Sequence, residues 1–400
     1  MIKQLLVYTC LLGSILLLSQ CTKKPGNPVG SQYYQRENIG SESDTVMVSS
    51  PADTFFQTVV NTGESAFLYV GQANDIEAIS LIKFHVEVDS GIVDSGFVTL
   101  YPNDLFGGNS AGVSTVSIHE ITGEWDETTI TWDEFNNSGL LGPEIATFDL
   151  DEVGIEDNPD TMSISFRLPV NVLQSWADTA TADLNYGFAL KCSNTSFITR
   201  FYSDEYSLNL SKLPLLTLYF SYPVDTSKST YLVNALHDAF VAEKSIAPRQ
   251  DRLIIADGTA YRSALFFDVS TIPAEATING AFLTLYTDTL LSFPYHESVY
   301  TVSAYRLIET PWDFQNMDYD STMGLGGFVT EDSLLINVSF FVQSWTTGDM
   351  ENHGIVLKSA DENANLYERA FISTSPGAPE DSLKKPKLHV YYSLPPASRL

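Results

Sequence analysis

The chain has 400 residues, 50 acidic against 21 basic, for a formal charge of −29 at neutral pH. Nucleic acid and anionic lipid headgroups both demand clustered Lys and Arg, so this balance excludes them as partners. The length supports two hydrophobic cores, and only Cys192 lies beyond residue 21, so neither a disulfide framework nor a cysteine metal site is expected in the folded part.

The N-terminus reads MIKQLLVYTCLLGSILLLSQC, with Lys3 ahead of an apolar run from Leu5 to Leu18. That run falls short of the roughly 20 apolar residues a membrane span needs and reads as a secretory signal peptide over residues 1–20. Its end, Leu18-Ser19-Gln20-Cys21, looks like a bacterial lipobox, although Gln20 departs from the small residue usual there. Cys21 is therefore the expected lipidation site. The protein is expected in the bacterial cell envelope, at the outer membrane or cell surface, touching membrane through the lipid only.

Residues 21–45 are rich in Gly, Pro, Ser and charge, and read as a flexible tether. Short β-branched and aromatic segments follow, among them "AFLYVG" (66–71), "SLIKFHV" (80–86), "GFVTLYP" (96–102), "STVSIHEI" (114–121) and "SISFRL" (163–168). Turn clusters separate them, the pattern of an all-β sandwich or barrel. "VNVLQSW" (170–176) reads as a short helical turn, and Cys192 ends a strand as a small hydrophobe.

The second half echoes the first in order. "SLIKFHV" matches "SALFFDV" at 263, "GFVTLYPND" matches "AFLTLYTDT" at 281, and "VLQSWADT" matches "FVQSWTTG" at 341. "NYGFALKCS" matches "NHGIVLKSA" at 352, and "KLPLLTLYFSYP" matches "KKPKLHVYYSLP" at 384. Five matches in sequence predict two tandem jelly-roll-like β-sandwich domains, 46–223 and 229–395, joined through "VDTSKS". "GEWDETTITWDEF" (123–135) then aligns with "TPWDFQNMDYDST" (310–322), so Trp125 meets Trp312 and Trp132 meets Tyr319. A turn at Trp125-Asp-Glu is expected before a strand Thr128–Trp132, with Ile130 and Trp132 facing the core.

These segments resemble the DNRLRE domain family, which overlaps carbohydrate-binding module family 96. The resemblance rests on Ser80–Phe84, Phe97–Tyr101, Trp125–Trp132, Trp176, Asn185–Lys191 and Leu213–Tyr219, with Arg262–Tyr392 covering the second copy. The run Trp-Asp-Glu-Thr-Thr-Ile-Thr-Trp is its most specific piece; the second copy departs from it at Met317-Asp318-Tyr319. The resemblance implies β-sandwiches on an exported protein that bind polysaccharide, alginate in some members.

No catalytic site is marked. "GNSAG" (108–112) fits Gly-x-Ser-x-Gly but leads into a strand, whereas a nucleophile elbow needs a following helix. The six histidines lack zinc spacing, and no carboxylate pair stands out. Ligand binding is expected of aromatics at turns, Trp125, Trp312, Phe135, Tyr202 and Tyr206, which can stack on sugar rings. It is also expected of cations that recur between halves: Lys191 with Lys358, and Arg200 with Arg369. Lys83 and Arg262 lie in the early matched strand; Arg can grip a carboxylate bidentately. The same cations could instead neutralise acids such as Asp204 and Glu205. Acidic loops could hold a structural calcium; no other cofactor is expected. The expectation is a non-catalytic surface lipoprotein binding polysaccharide, uronate-containing chains among the candidates. The alternatives are a structural or adhesive protein with protein partners, then a polysaccharide lyase or hydrolase.

Overall fold

Alternation of apolar and polar residues makes the strands. In Leu215–Ser221, Leu216, Leu218 and Phe220 are buried while Tyr219 faces solvent; Lys387–Ser393 repeats this with Leu388, Val390 and Tyr392 inward. The computed structural model describes residues 41–47, 53–88, 91–107, 113–157, 161–192, 197–223, 227–294, 299–314, 317–330, 332–375 and 384–395. The expected signal peptide, Cys21, the expected tether as far as residue 40 and the "GNSAG" segment lie outside the described residues. The architecture is all-β, as expected, in two lobes of antiparallel sheet.

In the first lobe one sheet runs through Ile164–Arg167, Ile92–Leu100, Leu215–Ser221 and the first half of the long strand Lys228–Lys244. The second half of that strand pairs with Ile76–Phe84 in the facing sheet. A register shift between Ala235 and His237 marks the irregularity where the strand passes from one sheet to the other. Beyond Ile76–Phe84 lie Phe67–Ala73 and Phe188–Lys191, then Phe197–Tyr202 and Pro102–Gly107 on one side and Val113–Ile121 and Leu141–Asp151 on the other. Leu100, Leu216 and Leu218 of one sheet meet Ile82, Phe188 and Leu190 of the other in a single apolar core.

The second lobe repeats this pairing. Thr277–Tyr286 lies between Ser333–Asn337 and Lys387–Ser393, while Tyr261–Leu265 continues through Ile355–Ser359 and Tyr300–Arg306 to Leu325–Val329. Arg252–Ala256 and Glu368–Ile372 form a separate pair. Its edge positions are filled by Ser41–Met47, on Lys387–Ser393, and Asp53–Gln57, on Tyr261–Leu265. These are the counterparts of the two halves of Lys228–Lys244. Each half of the chain therefore gives its first strand to the lobe built by the other half. Residues 41–45, which the sequence reading places in the tether, belong to that exchanged strand.

The matched motifs are architectural. The "QSW" helices Val170–Ala177 and Ser339–Thr347 bury Trp176 and Trp345. Gln174 accepts from Val93 N–H at 2.8 Å and donates to Gly91 O at 3.1 Å; Gln343 does the same with Ile278 (2.8 Å) and Ala276 (3.1 Å). In each Asn-x-Gly turn the asparagine donates to the neighbouring strand, Asn185 to Phe84 O and Asn352 to Phe267 O, both at 2.8 Å. The glycine is required: Gly187 has φ +83°, and a Cβ there would meet Ile82 O at 2.2 Å.

One expected strand is absent: Thr128 and Thr129 lie in a turn, Ile130 is buried as expected, and a helix begins at Trp132. Trp132–Asn137 is helical, capped by Thr131, whose hydroxyl accepts from Glu134 N–H at 3.2 Å, with Asp133 and Glu134 in the first turn. Thr131-Trp-Asp-Glu134 is a Ser/Thr-x-x-Glu start signal, and it overrides the β-branched run before it.

The end of the exchanged strand reaches the other lobe. Lys244 Nζ bonds both oxygens of Glu368, at 2.7 and 2.9 Å, with both side chains nearly buried. Burial pushes the Glu368 carboxyl up and Lys244 pulls it back. Removing one partner of a buried pair leaves a stranded charge, at a cost of about 3–5 kcal/mol. We therefore expect Lys244→Met to lose about that much in urea unfolding, and Lys244→Met with Glu368→Gln to recover most of it. A neutral single variant would show that the pair does not hold the lobes.

Candidate functional site

Where the chain crosses between lobes it leaves an open groove of two adjoining clefts, about 720 and 450 Å³, that share Val59 and Val60. These volumes are typical of ligand clefts. Gln57, Thr58, Thr131, Trp132, Asp133 and Glu243 line the first, and Asn61, Glu64, Thr128, Arg262, Lys358 and Glu362 the second. The crossing segment is fastened on both sides. Thr58 N–H donates to Ala260 O at 2.9 Å, Gln57 to Thr259 O at 3.1 Å, Asn61 to Glu127 O at 2.5 Å, and Thr62 to Phe240 O. Ala260 takes a left-handed backbone (φ +58°), uncommon for a residue with a side chain, so this wall is a built turn.

Trp132 reaches the groove because its helix starts there. Its indole is half-buried against a satellite core of Ile79, Leu81, Ile130 and Phe135, and its buried Nε1 makes no hydrogen bond of ordinary geometry. Nearby Glu243 has its carboxyl raised by burial and by Asp133, with the Trp132 N–H pulling the other way. Across the groove Arg262 grips Glu362 bidentately, Nε and Nη2 each 2.7 Å from an oxygen, and Lys358 Nζ stands 3.1 Å from the same carboxylate. Four carboxylates (Glu64, Asp133, Glu243, Glu362) thus face two cations already engaged with one of them.

The residues singled out from sequence are mostly elsewhere. Trp125 and Trp312 occupy equivalent places, half-buried, their Nε1 atoms donating to Tyr186 O at 2.8 Å and His353 O at 2.9 Å. Those carbonyls belong to the middle residues of the two Asn-x-Gly turns, so each indole closes an architectural unit. Tyr202 is buried and packs on Tyr206 and Phe67, with its hydroxyl accepting from Asn103 at 2.7 Å. Phe135 is core. Lys191 pairs with Glu77 at 3.0 Å. Arg200 lies over the Phe67 ring at 4.4 Å, bonds Asp104 at 3.2 Å and donates to Tyr367 Oη at 3.0 Å. Arg369 is buried, donating to the carbonyls of Phe293 (3.0 Å) and Pro294 (3.2 Å). Of the residues named from sequence for ligand binding, Lys358 and Arg262 line the groove and the others do not.

The pairing of Arg200 with Arg369 is one residue out of register. Ser80 and Ser263 are equivalent and donate to Tyr69 O and Ile254 O; Arg200 stands opposite Tyr69, but Ala370 stands opposite Ile254. A slip of one reverses the face of every side chain, so the two arginines point to opposite sides of their strands. Asp204 and Glu205 are not neutralised by Arg200, which pairs with Asp104. The sequence reading missed Trp132 as a groove residue, although the capping signal at Thr131 could have found it. It also passed over Asp238.

Residues 44–153 match the model of carbohydrate-binding module family 96, and residues 233–375 match that of the TGF-beta propeptide. No curated protein matches the chain. The second half is thus similar to a different family from the first, although its strands pair in the same pattern. The first match takes in Thr131, Trp132, Asp133, Thr128, Glu64 and the crossing segment, so much of the groove wall lies in a stretch similar to a carbohydrate-binding module.

Proposed function

We propose that the chain binds a neutral polysaccharide in the groove between its lobes and does no chemistry on it. Trp132 carries the reading. Its half-buried indole lines the first cleft, and an indole face offers a stacking surface for the C–H side of a sugar ring. The match to carbohydrate-binding module family 96 over residues 44–153 supports the ligand class. The groove's charge argues against polyuronates, since four carboxylates would face a polyanion and neither cation is free to receive it. With Cys21 lipidated, as the signal-like N-terminus suggests, the groove would be presented to extracellular glycan on a tether.

The similarity of residues 233–375 to the TGF-beta propeptide favours one second reading, a surface protein with a protein partner.

The test is calorimetric titration of the full chain with soluble neutral glucans, xylan and mannan beside alginate and pectate. Binding to a neutral polymer is expected, weakened at least 10-fold by Trp132→Ala with the melting temperature within a few degrees of the parent. A preference for alginate or pectate, or undiminished binding by Trp132→Ala, would overturn the assignment. A folded protein silent to every polymer would favour the protein-partner reading.

A further inference from the structure

Asp238 sits on the exchanged strand Lys228–Lys244 and is 1% exposed. Its Oδ2 accepts from the Asp204 N–H at 2.9 Å, but its Oδ1 has no partner. Two further buried oxygens, Asp204 Oδ1 and Glu205 Oε2, also lack partners. Asp204, Glu205 and Asp238 each bring one carboxylate oxygen to a point where all three lie within 4.8 Å of one another.

The other lobe supplies a control. Asp238 faces Ile82, two residues beyond Ser80, and Asp53 faces Leu265, two residues beyond the equivalent Ser263. Asp53 is therefore its counterpart, on the other exchanged strand. Asp53 Oδ2 accepts from Thr374 N–H at 2.6 Å, the same backbone bond, and its Oδ1 accepts from the Thr374 hydroxyl. Ser203 and Ser373 confirm the register: each hydroxyl accepts a backbone N–H two residues on, at 3.2 Å. So where the second lobe has Thr374 and Ser375, the first has Asp204 and Glu205. Two hydroxyl positions have become carboxylates around a buried aspartate, and the hydroxyl that satisfied it is gone.

We propose that Asp204, Glu205 and Asp238 hold a calcium ion that fastens the exchanged strand to the first lobe, in the place where the second lobe uses an Asp53–Thr374 hydrogen bond. Three carboxylates gathered around the buried Asp238 repel one another. A divalent cation would offset that repulsion and offer a partner to buried oxygens that have none. Calcium bonds oxygen at 2.3–2.6 Å, so its ligands stand up to about 5 Å apart across the ion. Magnesium, at 2.0–2.1 Å, demands near-ideal octahedral geometry and dehydrates reluctantly, so a site built of three protein carboxylates suits it less well.

The experiment is calcium titration of the full chain after EDTA treatment and desalting, followed by calorimetry and by thermal melting. One calcium per chain is expected, raising the melting temperature, with magnesium at least 10-fold weaker. Asp238→Asn should weaken binding at least 100-fold. Because it could also impair folding, the decisive variant is the double substitution Asp204→Thr with Glu205→Ser, which installs the second lobe's solution. It should fold, bind no calcium at this site and melt at the same temperature with calcium or EDTA. A parent protein that binds no calcium and melts indifferently to EDTA would overturn the proposal. So would a double variant that binds calcium as the parent does.

Discussion

Everything in this molecule depends on the exchange of first strands. Residues 228–244 hydrogen-bond along both sheets of the first lobe, and residues 41–47 and 53–57 do the same in the second. Neither lobe has a complete sheet without the other half of the chain. Edge positions that would otherwise expose unpaired N–H and C=O groups are filled from within the same molecule. The groove is a by-product of that constraint. A chain leaving one lobe for the other must cross between them, and residues 57–61 do so under hydrogen bonds from both sides.

The two lobes share their architectural devices and differ where chemistry is possible. The paired glutamines, the Asn-x-Gly turns and the indoles of Trp125 and Trp312 do the same structural work in each. Against that shared frame, the differences are informative. Trp132 begins a capped helix at the groove, while its counterpart Tyr319 packs on Tyr305 and under Arg262. The acid pair Asp204 and Glu205 stands where the second lobe has Thr374 and Ser375. Residues that matched best between the halves were matched largely for packing, whereas Asp204 and Glu205, which differ, keep buried oxygens without partners.

Much of the fold was legible because it is locally encoded. Alternation marked "STVSIHEI" and "GFVTLYP", and both are strands, Val113–Ile121 and Ile92–Leu100. The short helix at "VNVLQSW" is present as Val170–Ala177. Strand exchange was not legible, since a strand's pattern says which face is buried and nothing about which lobe supplies its neighbour. The helix at Trp132 was legible in principle, but the β-branched Thr128–Thr131 run outweighed its cap. The arginine match failed for a third reason. Aligning identical residues favours Arg200 with Arg369, whereas the sheet is fixed by Phe201 with Phe371 and Ser203 with Ser373. The candidate site was least legible, because it depends on which side chains lack partners, and that is visible only in the assembled structure.

The central claim is that the two lobes are one cooperative unit locked by exchanged strands. Hydrogen–deuterium exchange along a urea series, resolved by peptide, tests it directly. The account predicts that amides of 228–244 and 76–84 lose protection together with those of 261–265 and 53–57, in one transition. Loss of protection in one lobe while the other keeps its full protection, its exchanged strand included, would contradict it.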